Sequence, residues 1–340
     1  MTRRLLHLAG SAVSDLYCDL SRLYAQDCLT ATADPARYES HIAYVTPDRW
    51  WRFPADLSPA ALAAAAPMPA ADAVQRVAAL HIDVMVPQMF CVPGMTAYRA
   101  LFDVLGIPYL GNTADVMAMG ANKARARAIV ASAGVRVPEG QLLRPGDHPA
   151  LSPPVVVKPV DADNSLGVSL VRGQADYGAA LKTAFAHADE VLAERYIELG
   201  REVRCGIVVR DGQLVCLPLE EYRVNAVTKP IRDYDDKLNR SGDGGLNLVA
   251  KDSTRSWIVD PADPVTQAVW AAARACHTAL GCRHYSLFDF RVDPAGEPWF
   301  LEAGLYCSFA RPSVISMMAA AGGIPLPELF QTVLDQAVTA

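Results

Sequence analysis

Several features are missing from this chain of 340 residues, and each absence excludes something. The formal net charge is −6, and no basic surplus or run of like charges marks a nucleic-acid footprint or a charged tail. The eight cysteines, Cys18, Cys28, Cys91, Cys205, Cys216, Cys276, Cys282 and Cys307, are scattered without C-x-x-C spacing. Neither a zinc site nor a disulfide scaffold is therefore indicated. No apolar run approaches the ~20 residues of a membrane span. Arg3 and Arg4 precede a short apolar stretch, but Ser14 and Asp15 break it too early for a signal peptide. A soluble cytoplasmic protein with no nucleic-acid or membrane partner is expected. The sequence has no G-x-x-x-x-G-K-[ST] motif, and no G-x-G-x-x-G follows Leu5–Ala9, so neither a P-loop nor a dinucleotide fingerprint is present.

What is present suits a mixed α/β protein with two or three subdomains. Leu5–Ala9 reads as a strand, Gly10-Ser11 as a turn, and Leu16, Leu20, Leu23 and Tyr24 as one helix face. Ile42–Val45 and Ala78–Val86 read as further strands, 57–73 as a loop with a short helix, and 95–105 as a helix. Alternating strands and helices imply a parallel sheet to about residue 113. Thr113–Ala133 reads as helical and carries Lys123. Pro153–Pro159 is a buried strand ending in Lys158, followed by a polar loop through Ser165 and Gly167. Backbone N–H groups in such a loop, beside a lysine, form an anion site. Glu202–Val209 and Gln213–Leu219 suggest a hairpin about Asp211-Gly212. The charged 220–251 segment is long for a passive loop and reads as a lid.

Residues 281–304 read as a second hairpin around Asp293-Pro294-Ala295-Gly296-Glu297-Pro298. Folding it about Ala295–Gly296 puts Asp289 opposite Glu302. Leu287 then lies on the face of Asp289, and Phe300 and Gly304 on that of Glu302, with Phe288, Phe290 and Leu301 turned into a core. Two facing carboxylates on an apolar hairpin call for a cation, and hard oxygen ligands suit magnesium. The alternative is an exposed acidic pair at a sheet edge.

In order, the chain has a lysine near a helix start, Val-Val-Lys-Pro, Ser-Leu-Gly-Val, Val-Leu-Ala-Glu-Arg-Tyr-Ile, Arg-Glu-Val, Asp-Tyr-Asp-Asp-Lys, Phe-Asp-Phe and Phe-Leu-Glu-Ala-Gly. This series resembles the ATP-grasp superfamily, and within it the D-alanine–D-alanine ligases. The resemblance implies an α/β fold: an N-terminal, parallel-sheet, Rossmann-like domain over 1–113 and a two-lobed α+β ATP-grasp domain. Its central subdomain would span 114–192. Its C-terminal subdomain, with lid and metal hairpin, would span 193–340. ATP and two magnesium ions are implied as cofactors, with small-molecule carboxylate and amine substrates. A homodimer is implied by analogy.

By the same resemblance, Lys123 and Lys158 would touch the α- and β-phosphates, and Ser165 and Gly167 would lie over the triphosphate. Glu194, Arg195, Tyr196 and Ile197 would form the adenine hinge, and Glu202 would hold the ribose. Lys237 would reach the γ-phosphate, Asp289 and Glu302 would bind magnesium, and Ser313 would help to hold an amino acid. Plainer readings are a solvated Lys123, a mobile surface Lys237, a Glu202 paired with Arg204 or Arg201, and a Ser313 that only caps its helix.

The pattern departs from the ligases on the amino-acid side. Leu287 stands where they carry an arginine, Gly304 where they carry an asparagine metal ligand, and Ser308 where they carry a glycine. The N-terminal amino-acid motif survives only as Ala9-Gly10-Ser11 with Ser14-Asp15. Arg311, or else Arg291, is the candidate to replace the lost guanidinium. The expected activity is amide formation through an acylphosphate, on amino acids other than two D-alanines. The rival readings are a kinase or cyclising ligase on the same scaffold, or a non-catalytic nucleotide-binding protein.

Overall fold

The computed structural model describes residues 2–162, 165–225, 227–232, 239–240, 246–247 and 255–339. Strands β1 (Arg3–Gly10), β2 (Tyr38–Val45), β3 (Trp51–Arg52) and β4 (Val84–Pro87) form a sheet ordered β3-β2-β1-β4. β1 runs parallel to both β2 and β4, while the two-residue β3 pairs antiparallel to β2. Gly10 ends β1 at φ +91°, where a Cβ would lie 2.0 Å from the carbonyl oxygen of Val45; only glycine fits this turn. The expected strand over 78–86 is shorter than proposed. Ala73 and Val77, four residues apart, are the buried face of helix Ala70–Ala79, so the strand is confined to the run Val84–Pro87.

The second sheet is antiparallel: β5 (Gly140–Leu143), β6 (Val155–Pro159), β7 (Ser169–Val171) and β8 (Val191–Arg195), ordered β5-β8-β6-β7. Helix Tyr177–Phe185 packs Tyr177, Ala180 and Ala184 onto its buried valines.

The third sheet holds β9 (Arg201–Arg210), β10 (Gln213–Cys216) and β11 (Glu220–Tyr222). After the short ribbon of β12 (Asn239–Arg240) and β13 (Leu246–Asn247), it adds β14 (Ser256–Ile258), β15 (Tyr285–Val292) and β16 (Pro298–Ala303). Its order is β14-β11-β9-β15-β16, with β10 also paired to β9. The first three residues of the expected lid thus belong to this sheet, and much of the remainder, Lys237 included, lies outside the described residues. Helix Val265–Ala279 covers the apolar face built by Val203, Cys205, Phe288, Phe290 and Phe300.

The helical stretch 113–133 is two helices, Ala114–Ala121 and Lys123–Ser132. Asn122 divides them in extended conformation and caps the second by accepting from the Arg125 N–H. None of the described helices is long and apolar enough to cross a membrane.

Candidate active site

An open cleft lies between the second and third sheets. It encloses about 750 Å³, part of it open to solvent, within the rough 300–1,000 Å³ of small-molecule sites. Lys123, Lys158, Ser165, Glu194, Arg195, Tyr196, Ile197, Glu202, Asp289 and Glu302 all line it. Most come from a strand or the end of an element, while Ser165, Tyr196 and Ile197 lie in the loops after β6 and β8. Lys158 is near the end of β6, Glu194 and Arg195 end β8, and Lys123 opens its helix.

The helix carrying Lys123 is tied to the loop after β6. Its backbone N–H donates to Val160 O at 2.7 Å and its Nζ to Ala162 O at 2.6 Å, while Glu302 Oε2 lies 3.5 Å from Nζ. Lys123 is buried, so the solvated reading does not hold. Lys158 Nζ lies 2.6 Å from Glu194 Oε2. Arg127 Nε approaches the other Glu194 oxygen at 3.4 Å. Ser165 has φ +59° and Gly167 φ +73°, and a Cβ on Gly167 would meet Pro159 and His187 at 2.9 Å.

In the hairpin β15–β16, Asp289 pairs with Glu302 and Phe288 with Ala303, as the sequence implies. Beyond Asp289 the register shifts by one, so Phe290 pairs with Phe300. Leu301 is the extra residue of a β-bulge. Two expectations are thereby corrected. Phe300 turns into the core with Phe288 and Phe290, and Leu301 lines the cleft, its carbonyl 3.5 Å from Lys158 Nζ. The proposed facing of positions 287 and 304 holds: the Gly304 N–H donates to Leu287 O at 2.8 Å, and a Cβ on Gly304 would lie 3.7 Å from Leu287 Cδ2.

Glu202 pairs with neither Arg204 nor Arg201. Its partner is Arg291, with Nη2 2.6 Å from Oε2, and Arg291 also lies over the Tyr196 ring. Arg204 instead forms a two-pronged pair with Asp289, Nε to Oδ1 and Nη2 to Oδ2, the second at 3.0 Å. Arg201 takes Glu221 and Asp263. Residues i and i+2 of one strand are roughly 7 Å apart, whereas directly opposed residues lie about 5 Å apart, so pairing across strands wins. Once β9 is known to pair with β15, Glu202-Val203-Arg204 set antiparallel to Asp289-Phe290-Arg291 makes two complementary pairs. Burial opposes the charge of Arg204, but Asp289, with Tyr222 and Glu220, lifts its pKa well above the ordinary value.

Among the described residues, three expected at the site, Gly167, Arg311 and Ser313, are not part of the cleft lining. Arg311 is exposed and ion-paired to Asp27 at 2.9 Å. Ser313 is buried at the start of helix Val314–Ala321 with no side-chain cap bond, its Oγ 3.8 Å from Cys307 Sγ. Arg232, missed in the sequence, also lines the cleft and lies 3.6 Å from the centroid of the Tyr222 ring.

A family model described as the D-ala D-ala ligase C-terminus matches residues 147–335. The D-alanine–D-alanine ligase of Citrifermentans bemidjiense is 32% identical over 246 residues, covering 70% of this chain and 73% of that protein. This chain belongs to the D-alanine–D-alanine ligase family. It is therefore an ATP-grasp ligase forming carbon–nitrogen bonds, with ATP and magnesium as cofactors, and the resemblance read from the motifs is correct. The vancomycin B-type resistance protein VanB of Enterococcus faecalis is 29% identical over 248 residues, 71% of this chain and 69% of that one. Among solved structures, the VanG D-Ala:D-Ser ligase of Enterococcus faecalis superposes with a TM-score of 0.77 at 19% identity, covering 98% and 99% of the two chains. The Bacillus anthracis D-alanine–D-alanine ligase complexed with ATP gives 0.73 at 20% identity, covering 99% and 98%. The expected ATP-grasp fold is confirmed.

For a ligase of this family, the donors available to magnesium on the hairpin are the Asp289 and Glu302 carboxylates. Magnesium is commonly held by one or two carboxylates together with substrate phosphates, so the hairpin fits one cation delivered with a triphosphate, Glu302 being the more exposed carboxylate and Asp289 already engaged on both oxygens by Arg204. Among the described residues, no group of three acidic, histidine or cysteine side chains forms a metal cage.

Proposed function

We propose that this ligase joins a carboxylate donor to an amine acceptor, both amino-acid-like and not both D-alanine, through an acylphosphate. One observation carries the reading. The side chains expected around ATP, apart from Lys237 outside the described residues, line a single cleft, while on the amino-acid side the facing positions 287 and 304 hold only Leu and Gly. Chemistry retained with altered substrate contacts points to a changed substrate.

ATP would lie in the cleft. Lys123 and Lys158 would hold its α- and β-phosphates, and the Ser165–Gly167 loop would cover them. The Arg195 and Tyr196 N–H groups already donate to Glu139 O and Pro154 O, so the base would be read by other hinge groups, such as the Arg195 carbonyl and the Ile197 N–H. Glu202, held by Arg291, would meet the ribose. Lys237 would reach the γ-phosphate from the lid. Magnesium would be held on the hairpin that carries Asp289 and Glu302, with Glu302 as its more exposed carboxylate, and would neutralise charge on the phosphate oxygens.

A donor carboxylate oxygen attacks the γ-phosphorus, the bond to the β–γ bridging oxygen breaks, and ADP leaves. The acceptor amine then attacks the acyl carbon. The carbon–oxygen bond to phosphate breaks, and the amine proton leaves to phosphate or solvent. Preorganised lysines aimed at the transferring group supply most of the stabilisation. Water must be excluded while the acylphosphate exists. The reaction needs no nucleophilic side chain, which leaves Cys307 to packing or specificity. Arg311 and Ser313, in the loop and helix start after β16, would bound the amino-acid side. The enzyme would act on freely diffusing substrates in the cytoplasm.

The test is an amino-acid panel scored for phosphate release, with mass spectrometry of the products. An intermolecular amide from a pair other than two D-alanines supports the reading. Turnover with D-alanine alone, a phosphorylated product or a cyclic amide overturns it.

A further inference from the structure

We infer that the Arg204 guanidinium occupies the place of one cation at Asp289, so that the ligase binds a single magnesium ion per nucleotide. This inference rests on the nucleotide reading above.

Four side chains form a row across four adjacent strands. Glu302 pairs in register with Asp289, Asp289 with Arg204, and Arg204 with Glu220. Three carboxylates in a row on a largely buried sheet face require positive charge between them, and Arg204 supplies it from within the chain. Its two-pronged pair engages both oxygens of Asp289. A divalent ion seated on Asp289 would have to break two charge-assisted hydrogen bonds, the strong kind.

Arg204 is also fixed in place. Its guanidinium lies 5.1 Å from the centroid of the Tyr222 ring. The hydroxyl of Tyr222 donates to Glu220, and both residues are buried. Moving the guanidinium away would leave a buried carboxylate facing a buried arginine without its partner, and breaking such pairs is costly. The guanidinium is therefore a resident cation of the site.

The remaining donors agree with one ion. Gly304 contributes no side chain, and Leu287 packs against it. Glu302 lies on the outer strand of the row with a side chain 31% exposed, against 12% for Asp289. It is the carboxylate most accessible to an arriving ion.

Mn²⁺ is the probe, titrated into the full-length protein with a non-hydrolysable ATP analogue and counted by electron paramagnetic resonance and calorimetry. One Mn²⁺ per bound nucleotide is expected for the wild type. Arg204→Ser is expected to bind two, and its turnover is expected to depend on magnesium to a higher order. Arg204→Lys keeps a cation and is expected to remain at one, so a poorly folded serine variant does not remove the test. Two ions per nucleotide in the wild type overturns the inference while leaving the nucleotide site intact. Failure of the analogue to bind with any metal overturns the nucleotide reading itself.

Discussion

Lys158 reaches diagonally from β6 to β8, past its register partner Leu192, and sets its Nζ 2.6 Å from Glu194 Oε2. Both side chains are less than a tenth exposed. The lysine proposed for the phosphates is therefore held by a carboxylate beneath it. That carboxylate also has Arg127 as a second cation, so Lys158 is positioned without being the sole counter-charge of Glu194. A flexible side chain is preorganised in this way for a ligand that has yet to arrive.

Lys158→Ala is expected to lower ADP release by about a hundredfold or more, with a smaller loss of stability because Arg127 remains beside Glu194. Glu302→Gln removes a carboxylate donor and is expected to lower turnover by a factor on the order of 10² as well. Near-normal ADP release in both variants, measured at saturating ATP and magnesium, would show that the nucleotide lies elsewhere.

Arg291 and Glu202 allow a separate test of stability. Arg291→Met leaves Glu202 charged and buried with its guanidinium gone, and the expected cost is about 3–5 kcal/mol. Adding Glu202→Gln removes the stranded charge and is expected to restore most of the loss. Urea unfolding of the two variants measures it. A single variant as stable as the wild type would mean that Glu202 does not depend on Arg291.

The sequence carried the cleft further than its details. Asp289 opposite Glu302, and Leu287 beside Gly304, follow from hairpin symmetry alone because turn residues mark the centre of reversal. The bulge at Leu301 was not legible. Either register keeps apolar residues inward, and only packing against helix Val265–Ala279 selects Phe300 over Leu301 for the core. The Arg204–Asp289 pair needed the order of strands in the sheet, since β9 and β15 are some eighty residues apart in the chain. The weakly apolar β5, and the two- or three-residue strands β3, β11 and β14, have too few residues to show a period of two.

Gly304→Asn tests how the hairpin has diverged. The nearest described atoms to a Cβ there belong to Leu287, side chain and carbonyl, at 3.7–3.9 Å, an ordinary contact. The fold is expected to tolerate the change within about 1 kcal/mol. The carboxamide would extend beside Glu302 and offer an oxygen to a divalent ion, so Mn²⁺ affinity in the presence of nucleotide is expected to rise. Unchanged affinity in a folded variant would mean that position 304 has no access to the metal.

Three buried histidines predict how stability varies with pH. Burial lowers His7, His277 and His284 from an ordinary value of 6.5 to about 4, and Arg283 and Arg99 add to the effect at His284. His284 Nδ1 accepts from the Gly111 N–H at 3.0 Å, which requires that nitrogen to be unprotonated. In the unfolded chain the same rings take up a proton near pH 6.5. Between about pH 6.5 and 4 the unfolded state therefore binds more protons, and acid favours unfolding. Stability is expected to be flat with respect to these groups above the unfolded value, and to fall by about 2 kcal/mol per histidine by roughly pH 5. His284→Asn should remove one such increment. Asparagine tolerates the left-handed backbone found there, φ +62°, and its carbonyl can accept from Gly111. Urea midpoints compared between about pH 8 and pH 5 measure the slope. A variant with the same acid sensitivity as the wild type would show that His284 is already protonated in the folded protein or that it does not titrate on unfolding.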